Sequence, residues 1–200
     1  MAKKILVITG TVSPVEKSFS LALTNRFVKE YQTLNPQDEI IHLDLNNEQM
    51  AHKTLSRENF GTYFNEQDAL KYINQLKEVD KVVISSPMNN FNVSALIKNY
   101  LDHILLADQT FSYKYVKQGD AKGLLEHLTV QILTTQGAPF GWYPWGNHTE
   151  FLKGTWEFVG AKVNQPILFA GTKIAPVSTT NPNDAMNAIA DKIIEAAKKF

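Results

Sequence analysis

The sequence predicts an α/β fold, a doubly wound five-stranded parallel sheet with helices on both faces. Three observations carry that prediction. Short apolar runs rich in Val and Ile alternate with longer stripes of helical period, which is the order that βαβ units produce. The first and third runs are apolar throughout, as central strands covered on both faces must be. The chain has 200 residues, 44% hydrophobic and 20% charged. At ~150 residues per domain, that is apolar mass for one core, and residues 1–200 are read as one domain.

The strands fall at 4–9, 39–43, 81–85, 128–133 and 163–169. Pro166 lies inside the fifth, which makes it an edge or bulged strand, because proline cannot donate to a ladder. After the first strand, Leu23, Phe27, Val28, Tyr31 and Leu34 form a helical stripe that Asn35-Pro36 ends. The segment from Asp44 to Asp80 exceeds one short crossover and is read as two helices, one of them capped by Asn65 and carrying Leu70, Ile73 and Leu76. Val93, Leu96, Ile97, Tyr100, Leu101 and Ile104 make the next stripe, and Met186, Ile189, Ala190, Ile193, Ile194 and Ala197 the last. Crossovers of this kind are right-handed.

Composition closes several functional classes. There is no cysteine, so disulfides, thiolate nucleophiles and Cys-ligated metal centres are excluded. The formal net charge is +0, which argues against a nucleic-acid surface or a polybasic membrane anchor. Only Arg26 and Arg57 are arginine, so bidentate clamps for phosphate are nearly unavailable. His42, His52, His103 and His127 lack metal-ligand spacing, and no metal site is expected. His148 reads as a surface residue rather than a proton donor. No window approaches the ~20 apolar residues of a membrane span, and the N-terminal apolar run is short for a signal peptide. A cytoplasmic location is therefore expected.

In an open parallel sheet, ligands bind beyond the carboxyl ends of the strands, where strand order reverses. The first such loop, Thr9 to Ser20, lacks glycine-rich dinucleotide and P-loop patterns but is dense in hydroxyls. Ser18 or Ser20 opens the helix, where free amides and the dipole favour an anion. Thr11, Ser18 and Ser20 could hold a phosphate monoester there, or Ser18 could be no more than a cap. The second loop, Pro87 to Ser94, sets Met88 and Phe91 among Asn89, Asn90 and Asn92, a mixture suited to the face and edge of a flat heteroaromatic ring. The third, Thr134 to Pro139, contains Gly137, which allows close backbone approach. It leads into Phe140-Gly-Trp-Tyr-Pro-Trp145, four aromatics in six residues. That loop is a lid over a planar ligand or a subunit interface. Phe111, Tyr113 and Tyr115 alternate as on a strand, either a hairpin face or a wall of a partner's pocket.

The block from Pro87 to Ser94, followed by Leu96-x-Lys98-Asn99-Tyr100-Leu101-Asp102, resembles the signature of the FMN-dependent NADH azoreductases, also described as NADH:quinone oxidoreductases. The likeness extends to Thr110–Tyr113, Gly119, Gly123-Leu124, the 134–138 loop and Phe158-Val159-Gly160. The resemblance implies a flavodoxin-like fold with strand order 2-1-3-4-5, FMN as cofactor and NADH as co-substrate. It implies that Thr11, Ser18, Phe19 and Ser20 hold the FMN phosphate and that Met88, Asn89, Asn90 and Phe91 hold the isoalloxazine. Thr135, Gln136, Gly137 and Ala138 then lie beside the pyrimidine edge. It also implies a homodimer with shared active sites, with Tyr113, Trp142 and Tyr143 in the substrate pocket. The implied reaction is ping-pong hydride transfer through the flavin to a quinone or azo compound, with no catalytic side chain. Position 89 is Asn where the family usually has Tyr, and positions 136 and 138 are Gln and Ala where Arg and Gly are common. The first loop is one residue longer. The alternative from another class is a flavodoxin-type electron carrier, which the absence of a single-sign charge field disfavours.

Overall fold

The computed structural model describes residues 2–114 and 120–200. Its elements run β1 (Lys4–Thr9), α1 (Phe19–Leu34), β2 (Glu39–Asp44), α2 (Lys71–Glu78), β3 (Lys81–Pro87) and α3 (Ala95–Ile104). There follow β4 (Phe111–Ser112), β5 (Lys122–Gly123), β6 (Thr129–Gln136), α4 (His148–Phe158), β7 (Lys162–Val163), β8 (Ile167–Ala170), α5 (Pro182–Ala185) and α6 (Ala190–Lys199). The main sheet is parallel and ordered β2-β1-β3-β6-β7, with β8 also on β6. The fifth predicted strand is thus two short ones on the same neighbour. The break at Asn164-Gln165-Pro166 is where proline interrupts the ladder.

Alternate residues of each strand feed opposite faces. Leu6, Ile8, Val82, Ile84, Val130 and Ile132 bury against Ile73 and Leu76 of α2, Ile97 and Tyr100 of α3, and Leu152 and Trp156 of α4. Ile5, Val7, Val83, Leu133 and Ile167 bury against Leu23, Phe27 and Tyr31 of α1 and against Ile193, Ala197 and Phe200 at the C-terminus. Both faces are covered, which is why β1 and β3 read as apolar throughout.

Three local expectations are corrected. Residues 45–80 hold one α-helix rather than two; short 3-10 turns at Leu45–Asn47 and Gln49–His52 precede it. Asn59 takes the Ser56 amide on its Oδ1 (2.7 Å) and donates Nδ2 to the Thr54 carbonyl (2.9 Å), so side chains there supply turn bonds that compete with a helix. Asn65 does cap the helical segment, accepting from the amides of Gln67 and Asp68. The last stripe is divided, with a 3-10 turn at Met186–Ile189 between α5 and α6. Finally, α4 has no counterpart among the helical stripes read from the sequence. Its signal was the Asn147-x-x-Glu150 cap, in which Asn147 Oδ1 accepts from the Glu150 amide at 3.1 Å.

Phe111–Ser112 pairs antiparallel with Lys122–Gly123, as a hairpin would. Tyr115 and Gly119 lie outside the described residues. Among the described residues, no helix is long and apolar enough to cross a membrane.

Candidate functional site

Strand order reverses between β1 and β3, and the loops that leave their carboxyl ends are bound to each other. Gly10 donates its amide to the Ser85 carbonyl (3.2 Å) and accepts Ser94 Oγ at 2.7 Å. A side chain at Gly10 would overlap Ile97, so this close approach requires glycine. Ser94 in turn caps α3, taking the Ile97 amide. The start of α1 and the start of α3 are held side by side at the switch point.

At the α1 end, three buried hydroxyls form a chain. Thr11 Oγ1 lies 2.7 Å from Ser18 Oγ, which lies 3.1 Å from Ser20 Oγ. Ser18 is the cap of α1 and accepts the Leu21 amide at 3.2 Å. That leaves the amides of Phe19 and Ser20 as the helix donors without an intrahelical acceptor. They face a cavity of about 110 Å³ bordered by Ser18, Phe19, Ser20, Met88, Gln136 and Gly137, with Lys17 and Lys173 on its rim.

At the β3 end, the Met88 amide donates to the Thr135 carbonyl at 2.7 Å. A tight turn follows, with the Asn89 amide on the Asn92 carbonyl (2.7 Å) and the Asn92 amide on the Asn89 carbonyl (3.2 Å). Its central residues, Asn90 and Phe91, have φ of 45° and 72°. Asparagine tolerates this left-handed region; phenylalanine there costs on the order of 1–2 kcal/mol. The strained turn places Asn90 and Phe91 on the wall of a second cavity, of about 330 Å³, with Met88, Gly137, Ala138, Trp142 and Tyr143. Phe91, Tyr143 and Trp145 pack ring against ring, with centroids 5.1 to 5.8 Å apart. The two cavities share Met88, Gly137 and Lys173, so they form one cleft across the ends of β1, β3 and β6. Together they fall within the ~300–1,000 Å³ of small-molecule sites.

The chain matches the flavodoxin-like fold family over residues 3–195. The FMN-dependent NADH:quinone oxidoreductase 1 of Mesoplasma florum is 55% identical, the match covering 98% of this chain and 99% of the relative. The FMN-dependent NADH:quinone oxidoreductase of Malacoplasma penetrans is 57% identical over 98% of this chain and 93% of its own length. This chain belongs to the FMN-dependent NADH:quinone oxidoreductase family. Among solved structures, the azoreductase of Bacillus anthracis strain Sterne superposes with a TM-score of 0.82 at 23% identity, covering 99% of this chain and all of that one. An FMN-dependent NADH-azoreductase of the same species, solved in complex with FMN, gives 0.75 at 21% identity, covering 98% of each chain. At such identities these two matches speak for the fold.

Of the residues that the sequence marks for cofactor and substrate in this oxidoreductase-family chain, most line the cleft. Ser18, Phe19, Ser20, Thr135 and Gln136 border the smaller cavity, Asn90, Phe91, Ala138, Trp142 and Tyr143 the larger, and Met88 and Gly137 both. Thr11 stands one hydrogen bond behind, against Ser18. Asn89 lies outside both linings and closes the turn with its backbone. Tyr113 also lies outside them, its ring 5.4 Å from Phe111, which packs on Phe158 at 4.9 Å. Sequence reasoning missed Ser13, Lys17, Pro87, Thr172, Lys173 and Ile174 in the linings. The last three follow β8, and the rule that pointed to the other strand ends applies to that loop as well.

His148 is corrected from a surface residue to a buried one, 1% exposed at the start of α4. Neither ring nitrogen makes a hydrogen bond of good geometry. Burial lowers its pKa to about 4, and the nearby Thr135 carbonyl offsets only part of that. It is a neutral packing residue behind the Thr135 strand end.

Proposed function

We propose that this protein is an FMN-dependent NADH oxidoreductase that reduces quinones and azo compounds at the cleft across the ends of β1, β3 and β6. The observation that carries the reading is the continuity of that cleft. A hydroxyl-and-amide end opens directly into an aromatic and amide-lined space, which matches a phosphate joined to a flat ring.

The residues fit FMN. The amides of Phe19 and Ser20 are donors without an intrahelical acceptor, and Thr11, Ser18 and Ser20 place three hydroxyls beside them. These groups would hold the phosphate with Lys17 at the rim, in a chain whose two arginines lie elsewhere. Met88, Asn90 and Phe91 would cover the ring, and Thr135 to Ala138 would meet its pyrimidine edge. Bound FMN supplies the two-electron hydride chemistry. What the chain contributes is position and exclusion of water. Trp142 and Tyr143 wall the space in which the nicotinamide and then the acceptor stack in turn, the arrangement of a ping-pong cycle. No carboxylate or imidazole lines either cavity among the described residues; the ionisable side chains there are Lys17, Lys173 and Tyr143, and the proposed reaction asks no acid or base of them.

A homodimer is part of the same reading. Phe140, Trp142 and Trp145 are 70%, 59% and 70% exposed, and Tyr113 and Phe158 are exposed as well; apolar area of that extent favours a partner surface. In the second copy, Tyr113 would reach the pocket that it does not line in its own chain. The cytoplasm is the proposed location, consistent with a cysteine-free chain.

The test is optical. Purified protein incubated with FMN should be yellow, bleach on anaerobic addition of NADH, and recover its colour on addition of benzoquinone. A yellow protein that NADH does not bleach would make it an electron carrier, and a colourless one would remove the flavin altogether.

A further inference from the structure

We propose that Lys173 sets the reduction potential of the flavin site by carrying the positive charge at the pyrimidine edge of the ring, an inference that rests on the FMN reading above. Three observations converge on this residue. First, Lys173 is the cation common to the linings of both cavities, whereas Lys17 borders only the smaller, phosphate-end cavity. Second, its position is built. The amides of Gly171, Thr172 and Lys173 donate to the carbonyls of Ala138 (3.0 Å), Gln136 (3.1 Å) and Gly137 (2.9 Å), zipping the loop after β8 onto the loop after β6. A Cβ at Gly137 would come within 2.8 Å of Lys173 Cδ, so the stem of Lys173 lies against the glycine. Third, Gln136 supplies no charge and no donor there. Its Nε2 donates to the carbonyls of Ala138 (3.0 Å) and Pro139 (3.1 Å), which locks the loop and spends both amide hydrogens, so its side chain can offer a ligand only the Oε1 acceptor.

The lining favours the pyrimidine edge of the ring as the one that would meet Lys173. Met88, Phe91, Trp142 and Tyr143 offer apolar contact suited to the benzenoid part and the faces. Backbone at Gly137 and Ala138 is polar, and the N–C=O groups of the pyrimidine edge belong against it. Hydride from NADH delivers two electrons and one proton. Bound FMN would thereby gain one negative charge, and NAD⁺ would depart. A cation there binds reduced FMN more tightly than oxidised FMN, which raises the potential. Among the described residues no carboxylate lies within ion-pair distance of Lys173, so its charge is not neutralised within the chain.

The experiment compares the holoprotein with Lys173→Met, which keeps a stem on Gly137 without the charge, and with Lys173→Arg, which keeps the charge. Oxidised-FMN affinity is read by fluorescence quenching and the two-electron potential by equilibration with a redox dye. In Lys173→Met, reduced FMN should bind about tenfold more weakly relative to oxidised FMN. For a two-electron couple that is a potential lower by ~30 mV, and Lys173→Arg should restore it. An equal loss of affinity for both forms, with the potential unmoved, would make Lys173 a phosphate ligand and overturn the proposal. Unchanged affinities and potential would overturn it too. Wild-type protein that binds no FMN would instead remove the flavin reading on which it stands. Circular dichroism confirms that the variants are folded, as substitution of an exposed side chain predicts.

Discussion

The two ends of the cleft are built by opposite means. At the α1 end, the hydroxyls are buried and already bonded: Thr11, Ser18 and Ser20 form one chain, Ser18 caps the helix, and Gly10 pins the loop to α3. The hydroxyls that would grip the ligand also hold the fold, and the amides of Phe19 and Ser20 beside them are the donors left over. At the other end, the wall is aromatic and open. Trp142 is 59% exposed, and Phe91 is kept at positive φ by a four-residue turn. The difference follows from what each end would receive. A phosphate has one shape and one charge, so a rigid polar socket suits it. A space that accepts first a nicotinamide and then a quinone or azo compound needs flat, direction-tolerant surfaces.

The sharpest break in that contrast is Ser20→Asp. A carboxylate in the first turn of α1 suits the helix dipole, which offsets part of the cost of a charge at the buried Ser20 position, so the apoprotein should still fold, melting somewhat below the parent. The same carboxylate occupies the anion's place. Two like unit charges about 4 Å apart near a protein surface repel by ~4 kcal/mol, so FMN affinity should fall about 1,000-fold, measured by fluorescence titration. Retained affinity would put the phosphate somewhere else and erase the distinction between the ends.

The polar end was largely legible in the sequence, because its determinants are local. A hydroxyl run before an amphipathic stripe implies a helix start, and a helix start implies free amides. The strands were legible for a similar reason: Ile5 to Ile8 and Val82 to Ile84 are apolar on both faces, and Pro166 announced the break between β7 and β8. The aromatic end was legible in composition but not in arrangement. Nothing local says that Phe91 sits at positive φ, that Tyr143 and Trp145 pack on it, or that Tyr113 turns instead to Phe111. Lys173 was hidden for a third reason: it reaches the cleft only because β8 pairs with β6, a partnership between residues such as Leu133 and Ile167 that are distant in sequence. His148 was misjudged because the helix that buries it was itself unread; with α4 unrecognised, a histidine after an aromatic loop looks solvent-borne.

That histidine tests whether the open end has a rigid base. Between about pH 6.5 and about pH 4, the unfolded chain binds a proton on His148 that the folded chain refuses. The unfolded state then holds more protons, so stability falls as pH falls through this window. At ~1.4 kcal/mol per pH unit, the loss reaches about 3 kcal/mol by pH 4. Asp38 and Asp68, whose pKa values lie below the usual carboxylate value of 3.8, lose their contribution only at lower pH still. Urea denaturation at pH 7, 5.5 and 4 should therefore show a slope in the parent that is smaller in His148→Met, the remainder belonging to His103, whose pKa burial also lowers. An equal slope in both chains would mean that the ground beneath Thr135 yields as readily as the wall above it.

The smallest expected effect separates wall from scaffold. Truncating one aromatic in a stacking surface costs about 1 kcal/mol beyond its area, so Trp142→Ala should raise the KM for a quinone by roughly tenfold while FMN affinity stays within about twofold. Tyr143→Ala should behave differently. Its ring supports Phe91 at 5.1 Å and Trp145 at 5.5 Å, whereas Trp142 makes no ring pair among the described residues. Removing Tyr143 frees the strained Phe91 turn, and some loss of FMN affinity should accompany the rise in KM. If both variants loosen FMN more than they raise KM, the aromatic loop is a clamp on the cofactor, and the two ends of the cleft hold one ligand by two methods rather than two ligands by one each.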